Sequence, residues 1–336
     1  MKNMKKYVAI LIVLCMAAVL GACAAPAAAP AAPAADSGKT YKVAMICDSS
    51  ISDGGWGAAC YNAMVTAAEA HGWEHMYTDS IDVADYVSSM TSYCSLGYDM
   101  IFAPGNQYSD AVKEVAADYP DVKFAVLNGN DQLPTANICS ILPNADQIGY
   151  LAGGLAGLMT KSNVLGFIGG MELDTTKAKL AGYEKAAKFV NPAVSNVLSA
   201  YAGSFNDTAK GMELATSMIS EGADVFFGDA SAVDSGARQA IDSANTAGVT
   251  IFDIGQPADI LGQNPCVISS VVTDNAGMLG LCMNDVEAGT FGNKVVYGTL
   301  ENNCLSVGKF NDELVSADVQ KAYMEFVEKI KSGEFK

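Results

Sequence analysis

The stretch Tyr41-Lys42-Val43-Ala44-Met45-Ile46-Cys47-Asp48 decides the fold. An apolar run of strand length ends in a carboxylate, a polar Gly-rich turn follows, and residues 58–70 take up helical periodicity. The same unit recurs. Apolar runs at residues 99–103, 123–127, 137–142, 164–168, 224–227 and 249–254 alternate with helical segments at 83–93, 109–118, 148–159, 177–190, 209–220 and 235–247. Repeated βαβ predicts parallel sheets covered by helices on both faces. The repeat runs twice, closing near Asn128 and again near Ile254, so the fold class expected is α/β with two doubly wound parallel-sheet lobes. Strand-then-helix at 267–291 and a last amphipathic helix at 317–330, with Val319, Tyr323, Phe326, Val327 and Ile330 on one face, bring the chain back. Several crossings should then join the lobes at a hinge and frame a cleft. The boundaries expected are a leader at 1–22, a tether at 23–39, lobe I at 40–145 and 258–292, and lobe II at 146–257 and 293–336.

Length and composition bound the answer. At 336 residues, half of them apolar, the chain has enough material for about two domains with large cores. Its 20 Lys+Arg against 37 Asp+Glu give −17, and losing the leader with Lys2, Lys5 and Lys6 makes that −20. So acidic a surface repels phosphate backbones, which argues against nucleic acid as a partner.

The first residues read as a targeting segment: a basic start, an apolar run over 7–20, then Leu20-Gly21-Ala22-Cys23. That ending fits a bacterial lipobox, which would leave Cys23 as a lipid-bearing N-terminus; an ordinary secretion signal with an incidental Cys is the alternative. The Ala/Pro stretch after Cys23 reads as a tether with nothing bulky to bury. The folded part should start near Thr40 and stand off the outer side of the cell membrane. Gly149-Tyr150-Leu151-Ala152-Gly153-Gly154-Leu155-Ala156-Gly157-Leu158-Met159 looks like a membrane helix but is too short, and a helix packed against a sheet is the better reading.

Seven cysteines follow the tether, at 47, 60, 94, 139, 266, 282 and 304. They are odd in number, none forms CxxC, and most sit inside apolar patterns, so they read as small core residues rather than a disulfide framework. His71 and His75 straddle Gly72, where a helix gives way to a strand, which argues against a metal site. No metal or cofactor is expected.

Ligands in open parallel sheets sit beyond the carboxyl ends of strands. The first such loop, Asp48-Ser49-Ser50-Ile51-Ser52-Asp53-Gly54-Gly55-Trp56-Gly57, offers carboxylates, hydroxyls and an indole. A capping turn with Asp53 as cap and Trp56 against the sheet edge is the competing reading. Later strands end in loops carrying Tyr108, Asn128, Phe205, Asp229 and Asp253. Singly each suits a cap or turn; together they place two aromatics, carboxylates and amides where a flat, hydroxylated ligand would bind. GxxxxGK[ST], GxGxxG and GxSxG are all absent, and no general base is evident, so binding without catalysis is expected.

Three sets of blocks carry a resemblance. They are Gly97-Tyr98-Asp99-Met100-Ile101-Phe102-Ala103 with Tyr119-Pro120-Asp121-Val122-Lys123-Phe124-Ala125; Gly166-Phe167-Ile168-Gly169-Gly170-Met171; and Gly203-Ser204-Phe205-Asn206-Asp207-Thr208-Ala209-Lys210-Gly211. In this order they resemble the basic membrane protein family of ABC-transporter substrate-binding lipoproteins, over roughly residues 42–291. The resemblance implies a type I periplasmic-binding-protein fold and, from the best-known members, a purine nucleoside ligand. It puts Asp48 on a ligand-contacting carboxylate, Trp56 and Phe205 on two aromatics that stack on the base, Asn128 in the loop that reads the base, and Asp253 on the carboxylate that grips the ribose. It departs at Gly57, where nucleoside binders have Asn, and at Thr273, where they have Lys. The expected role is a monomeric, lipid-anchored binding protein that hands a purine nucleoside to an ABC permease and its ATPase. The alternatives are a free nucleobase or a sugar as ligand, or a receptor signalling to a membrane partner.

Overall fold

The strands form where the apolar runs lie, and alternate residues on each feed two different cores. The computed structural model describes residues 38–52 and 56–336. The expected leader, its Cys23, the tether up to residue 37 and Asp53 lie outside the described residues.

The first lobe is built from β1 (Lys42–Ile46), α1 (Trp56–His71), β2 (Glu74–Thr78), α2 (Tyr86–Ser95), β3 (Met100–Ala103), α3 (Ser109–Asp118), β4 (Lys123–Leu127) and β5 (Ile138–Pro143). Along β1 and β3, Val43, Met45, Met100 and Phe102 pack beneath α1, while Ala44, Ile46, Ile101 and Ala103 pack on the opposite face with residues of α2 and α3. This period-two division is why both strands read as continuous apolar runs: each is buried on both faces.

The chain then crosses into α4 (Ala145–Met159) and builds the second lobe from β6 (Val164–Gly169), α5 (Asp174–Val190), β7 (Asn196–Tyr201), α6 (Thr208–Ser220), β8 (Val225–Asp229), α7 (Ala232–Thr246), β9 (Phe252–Gly255) and β10 (Val267–Thr273). It crosses back for α8 (Asn275–Glu287) and β11 (Val295–Gly298), then returns for β12 (Leu305–Val307) and α9 (Ala317–Lys331). The first sheet runs β11-β5-β4-β3-β1-β2 and the second β12-β10-β9-β8-β6-β7. All pairs are parallel except β10 with β12. The expectation of two doubly wound parallel lobes is met, and three crossings join them.

The lobe boundaries need correction. Residues 267–273, expected in lobe I, form β10 beside β9 in the second sheet, because Val267, Ile268 and Val271 bury in the second lobe's cores. Residues 295–298, expected in lobe II, form β11, paired with β5 in the first sheet in the register Val295↔Ser140. Of the 258–292 segment, α8 covers the first lobe through Met278, Leu279, Cys282 and Met283, and Phe291 after it packs there too.

The small-residue helix α4 packs on α5, and among the described residues no helix is long and apolar enough to cross a membrane. A Cβ at Gly153 would stand 2.1 Å from the carbonyl oxygen of Tyr183 on α5, so the two backbones touch there. Gly153→Ala should force the helices apart and lower stability by about 1–3 kcal/mol in chemical denaturation. An unchanged midpoint would mean that the contact is not tight. The seven cysteines of the described residues are buried and unbridged, with Cys139 Sγ and Cys282 Sγ 3.6 Å apart.

Candidate functional site

The carboxyl ends of the two sheets and two of the crossings enclose a cavity of about 250 Å³. Lobe I contributes Trp56 and Asn128; lobe II contributes Phe205, Asp229, Lys179 and Gln256; Pro143, Thr273 and Asn275 at the crossings close the rest. Trp56, Asn128, Phe205 and Asp229, each expected from a strand-end loop, are thus brought together. A second hollow of about 300 Å³ lies between α1 and α8, lined largely by small residues such as Ala67, Ala70 and Gly280. It lies against two helices of the first lobe alone, whereas the cleft is lined by strand-end loops of both sheets, so the cleft is the candidate site.

Each aromatic is positioned by its surroundings. The indole N–H of Trp56 donates to the Pro104 carbonyl at 2.8 Å, which fixes the ring's orientation at the start of α1. Phe205 is 37% exposed and its ring lies over Gly170, where a Cβ would come within 2.4 Å of it. Any side chain at position 170 would displace the ring.

Three expected ligand contacts, Tyr108, Asp253 and Asp48, do not line the cavity. Tyr108 is fully buried; its ring packs 4.5 Å from that of Tyr86, and its hydroxyl accepts the Asp48 backbone N–H at 2.6 Å. It shapes the loop from below, because the 3₁₀ turn before α3 points the ring into the first core. Asp253 is 4% exposed and lies under Arg238, whose Nε donates to its Oδ2 at 2.7 Å. Asp253 lies inside β9 rather than at its end, and its carboxylate meets α7 there, so it holds a side chain instead of a ligand.

Asp48, half-buried, is held by its own loop and its neighbours. Its Oδ2 accepts from Tyr86 Oη and Gln107 Nε2, both at 3.0 Å, and its Oδ1 from Ser49 Oγ at 3.2 Å. Burial pushes its carboxyl up, but these donors outweigh it and hold the group below the usual range. The Tyr86 phenol is pushed up to about 12, by burial first and by the neighbouring carboxylate second.

The lobe II wall is a charged network. Asp229 accepts from Thr176 Oγ1 at 2.7 Å, from Lys179 Nζ at 2.7 Å and from Gln256 Nε2 at 3.2 Å, while Lys179 also donates to Gln256 Oε1 at 3.2 Å. Next to it, Asp234 in the first turn of α7 accepts the Ala230 N–H through Oδ2 at 3.1 Å, and its buried Oδ1 has no partner. Burial pushes the Asp234 carboxyl up to about 7, against the pull of Arg238.

Lys179, Asp234, Arg238 and Gln256 escaped the sequence reading. Lys179, Asp234 and Arg238 lie within helices, where one side chain in three or four faces the cleft, and Gln256 lies just past the end of β9. One signal was available: Arg238 is the sole arginine among 20 basic residues. A chain that uses lysine everywhere else has placed the planar, five-donor guanidinium here. His71, by contrast, contacts Glu287 at 3.0 Å far from the cleft, and the described residues contain no group of three metal-ligand side chains.

The profile of the Bmp family, described as ABC transporter substrate-binding protein PnrA-like, matches residues 40–336. The CD4+ T-cell-stimulating antigen of Listeria innocua is 26% identical over 356 residues, spanning 100% of this chain and 99% of that protein. Basic membrane protein A of Borreliella burgdorferi is 28% identical over 286 residues, 83% of this chain and 82% of its own. Among solved structures, an ABC transporter solute-binding protein from Aeropyrum pernix K1 superposes with a TM-score of 0.72 at 22% identity, covering 88% of this chain and 92% of that one. A transcriptional activator of the comK gene from Bacillus halodurans gives a TM-score of 0.74 at 20% identity, covering 88% and 99%. The structural likenesses carry the two-lobed fold, and the match over residues 40–336 carries the family: this chain belongs to the Bmp family of PnrA-like ABC transporter substrate-binding proteins.

Proposed function

We propose that the chain captures a purine nucleoside between its lobes and delivers it to an ABC permease and its ATPase, working as a monomer held outside the cytoplasm by lipid on Cys23. The observation that carries this reading is the pair of aromatics, Trp56 from one lobe and Phe205 from the other, lining one cavity with Asn128 and Asp229. A flat heterocycle offers a face to each ring, and a sugar's hydroxyls suit a carboxylate and an amide. Capture without reaction fits a site whose Asp229 and Asp253 are tied to cations.

The test is binding by the aromatic variants. Trp56→Ala and Phe205→Ala should each weaken nucleoside binding by about 1–3 kcal/mol in isothermal titration. Stacking should also quench the Trp56 part of the tryptophan emission, since the other indole, Trp73, is 5% exposed and bonded to Glu287. Unchanged affinity in both variants would remove the stacking account.

A further inference from the structure

The lobe II wall contains one group whose donors are unspent. Arg238 lines the cleft, and only its Nε is engaged, on Asp253. Its two Nη groups donate to no protein acceptor among the described residues, and they are not among the sealed polar atoms, so they are open to the cavity. The side chain cannot swing freely: it is 16% exposed, its Nε contact is to a carboxylate only 6% exposed, and Asp234 lies near it on the same helix. A guanidinium clamped at one edge and open at the other presents a fixed, planar pair of donors.

We propose that Arg238 is the specificity-determining residue of this cleft, reading a pair of adjacent acceptors on the ligand through its two Nη groups, with Asp253 as its positioning residue. On the purine nucleoside reading, which this inference deepens, the matching pair is the O6/N7 edge of a 6-oxopurine. Guanosine and inosine present two acceptors there. Adenosine presents N7 beside an N6 amino donor, which would face a second donor and leave it unpaired. The neighbouring Lys179–Asp229–Gln256 ring closes on itself through three contacts, so of the two cations on the lobe II wall it is Arg238 that keeps an open donor fork.

The experiment is isothermal titration of the purified chain and of Arg238→Lys with guanosine, inosine and adenosine, paired with phenylglyoxal labelling read by intact mass. Labelling is unambiguous because Arg238 is the chain's one arginine. Arg238→Lys keeps the charge opposite Asp253 and loses the fork, so it separates reading from folding. The wild type should bind guanosine and inosine ten- to a hundredfold more tightly than adenosine, and Arg238→Lys should bring that ratio close to one. Asp253→Asn should lower the ratio part of the way, without the residue touching the ligand. Native Arg238 should take one phenylglyoxal adduct, and guanosine should protect it. A ratio unchanged in Arg238→Lys, or an Arg238 that reacts only after denaturation, would overturn the inference. Native reactivity with no protection by any nucleoside would overturn the purine reading and leave the open fork standing.

Discussion

Replacing Arg238 by alanine should lower the free energy of unfolding at pH 8 by about 3–5 kcal/mol, the range for removing one partner of a buried ion pair. Asp253 is 4% exposed and Asp234 7%, and both lose their nearest cation. Burial already pushes the Asp253 carboxyl above its ordinary range even with Arg238 beside it. Without the guanidinium both groups would rise further, so the deficit should be largest at pH 8 and shrink towards pH 5 as they take up protons. Urea unfolding at the two pH values checks it, with Arg238→Lys as the variant that keeps most of the stability. Equal stability of Arg238→Ala and wild type at pH 8 would mean that the pair is solvated. The same contact that stabilises the lobe II wall fixes the donor fork in the cleft, so stability and specificity are coupled at one side chain.

Asp234→Asn should act in the opposite direction. A carboxyl whose folded-state value is raised contributes its stability below the unfolded value and loses it as pH rises through the folded one. For Asp234 that window runs from 3.8 to about 7. Its cause is burial, opposed by Arg238 from its own helix and reinforced by Asp253 on β9 and Asp229 on β8. On the α6 side, Gly211 and Thr208 meet α7 through backbone contacts, and Lys210 is paired with Glu213 at the surface. Asparagine imitates the protonated form at every pH. The variant should therefore match wild type at pH 4 and exceed it by roughly 4 kcal/mol at pH 8, the shift converted at 1.36 kcal/mol per unit. Thermal or urea unfolding across that range would contradict the account if the difference were flat.

The fold was largely legible because a strand buried on both faces leaves an apolar run that composition cannot hide, as in Met100-Ile101-Phe102-Ala103. The edge strand β7, Asn196–Tyr201, was not, since its half-exposed residues give no such run. Sheet membership after residue 258 was misread for a different reason. Val267–Thr273 and Val295–Gly298 both look like strands, and only the crossings decide which sheet each joins. At the site, loops at strand ends announced Trp56, Asn128, Phe205 and Asp229. They could not say that Asp253 faces a guanidinium or that Tyr108 turns inward, because those outcomes depend on what α7 and the first core present from elsewhere in the chain.

The most direct test of the central claim is a titration of residues 40–336 with guanosine, inosine, adenosine, free purine bases, pentoses and hexoses, read as a shift in unfolding temperature. A ligand present at 100 times its Kd adds about 2.7 kcal/mol of stability. The account predicts saturable stabilisation by guanosine and inosine, less by adenosine, and none by sugars. Stabilisation by a sugar with no response to any nucleoside would contradict it.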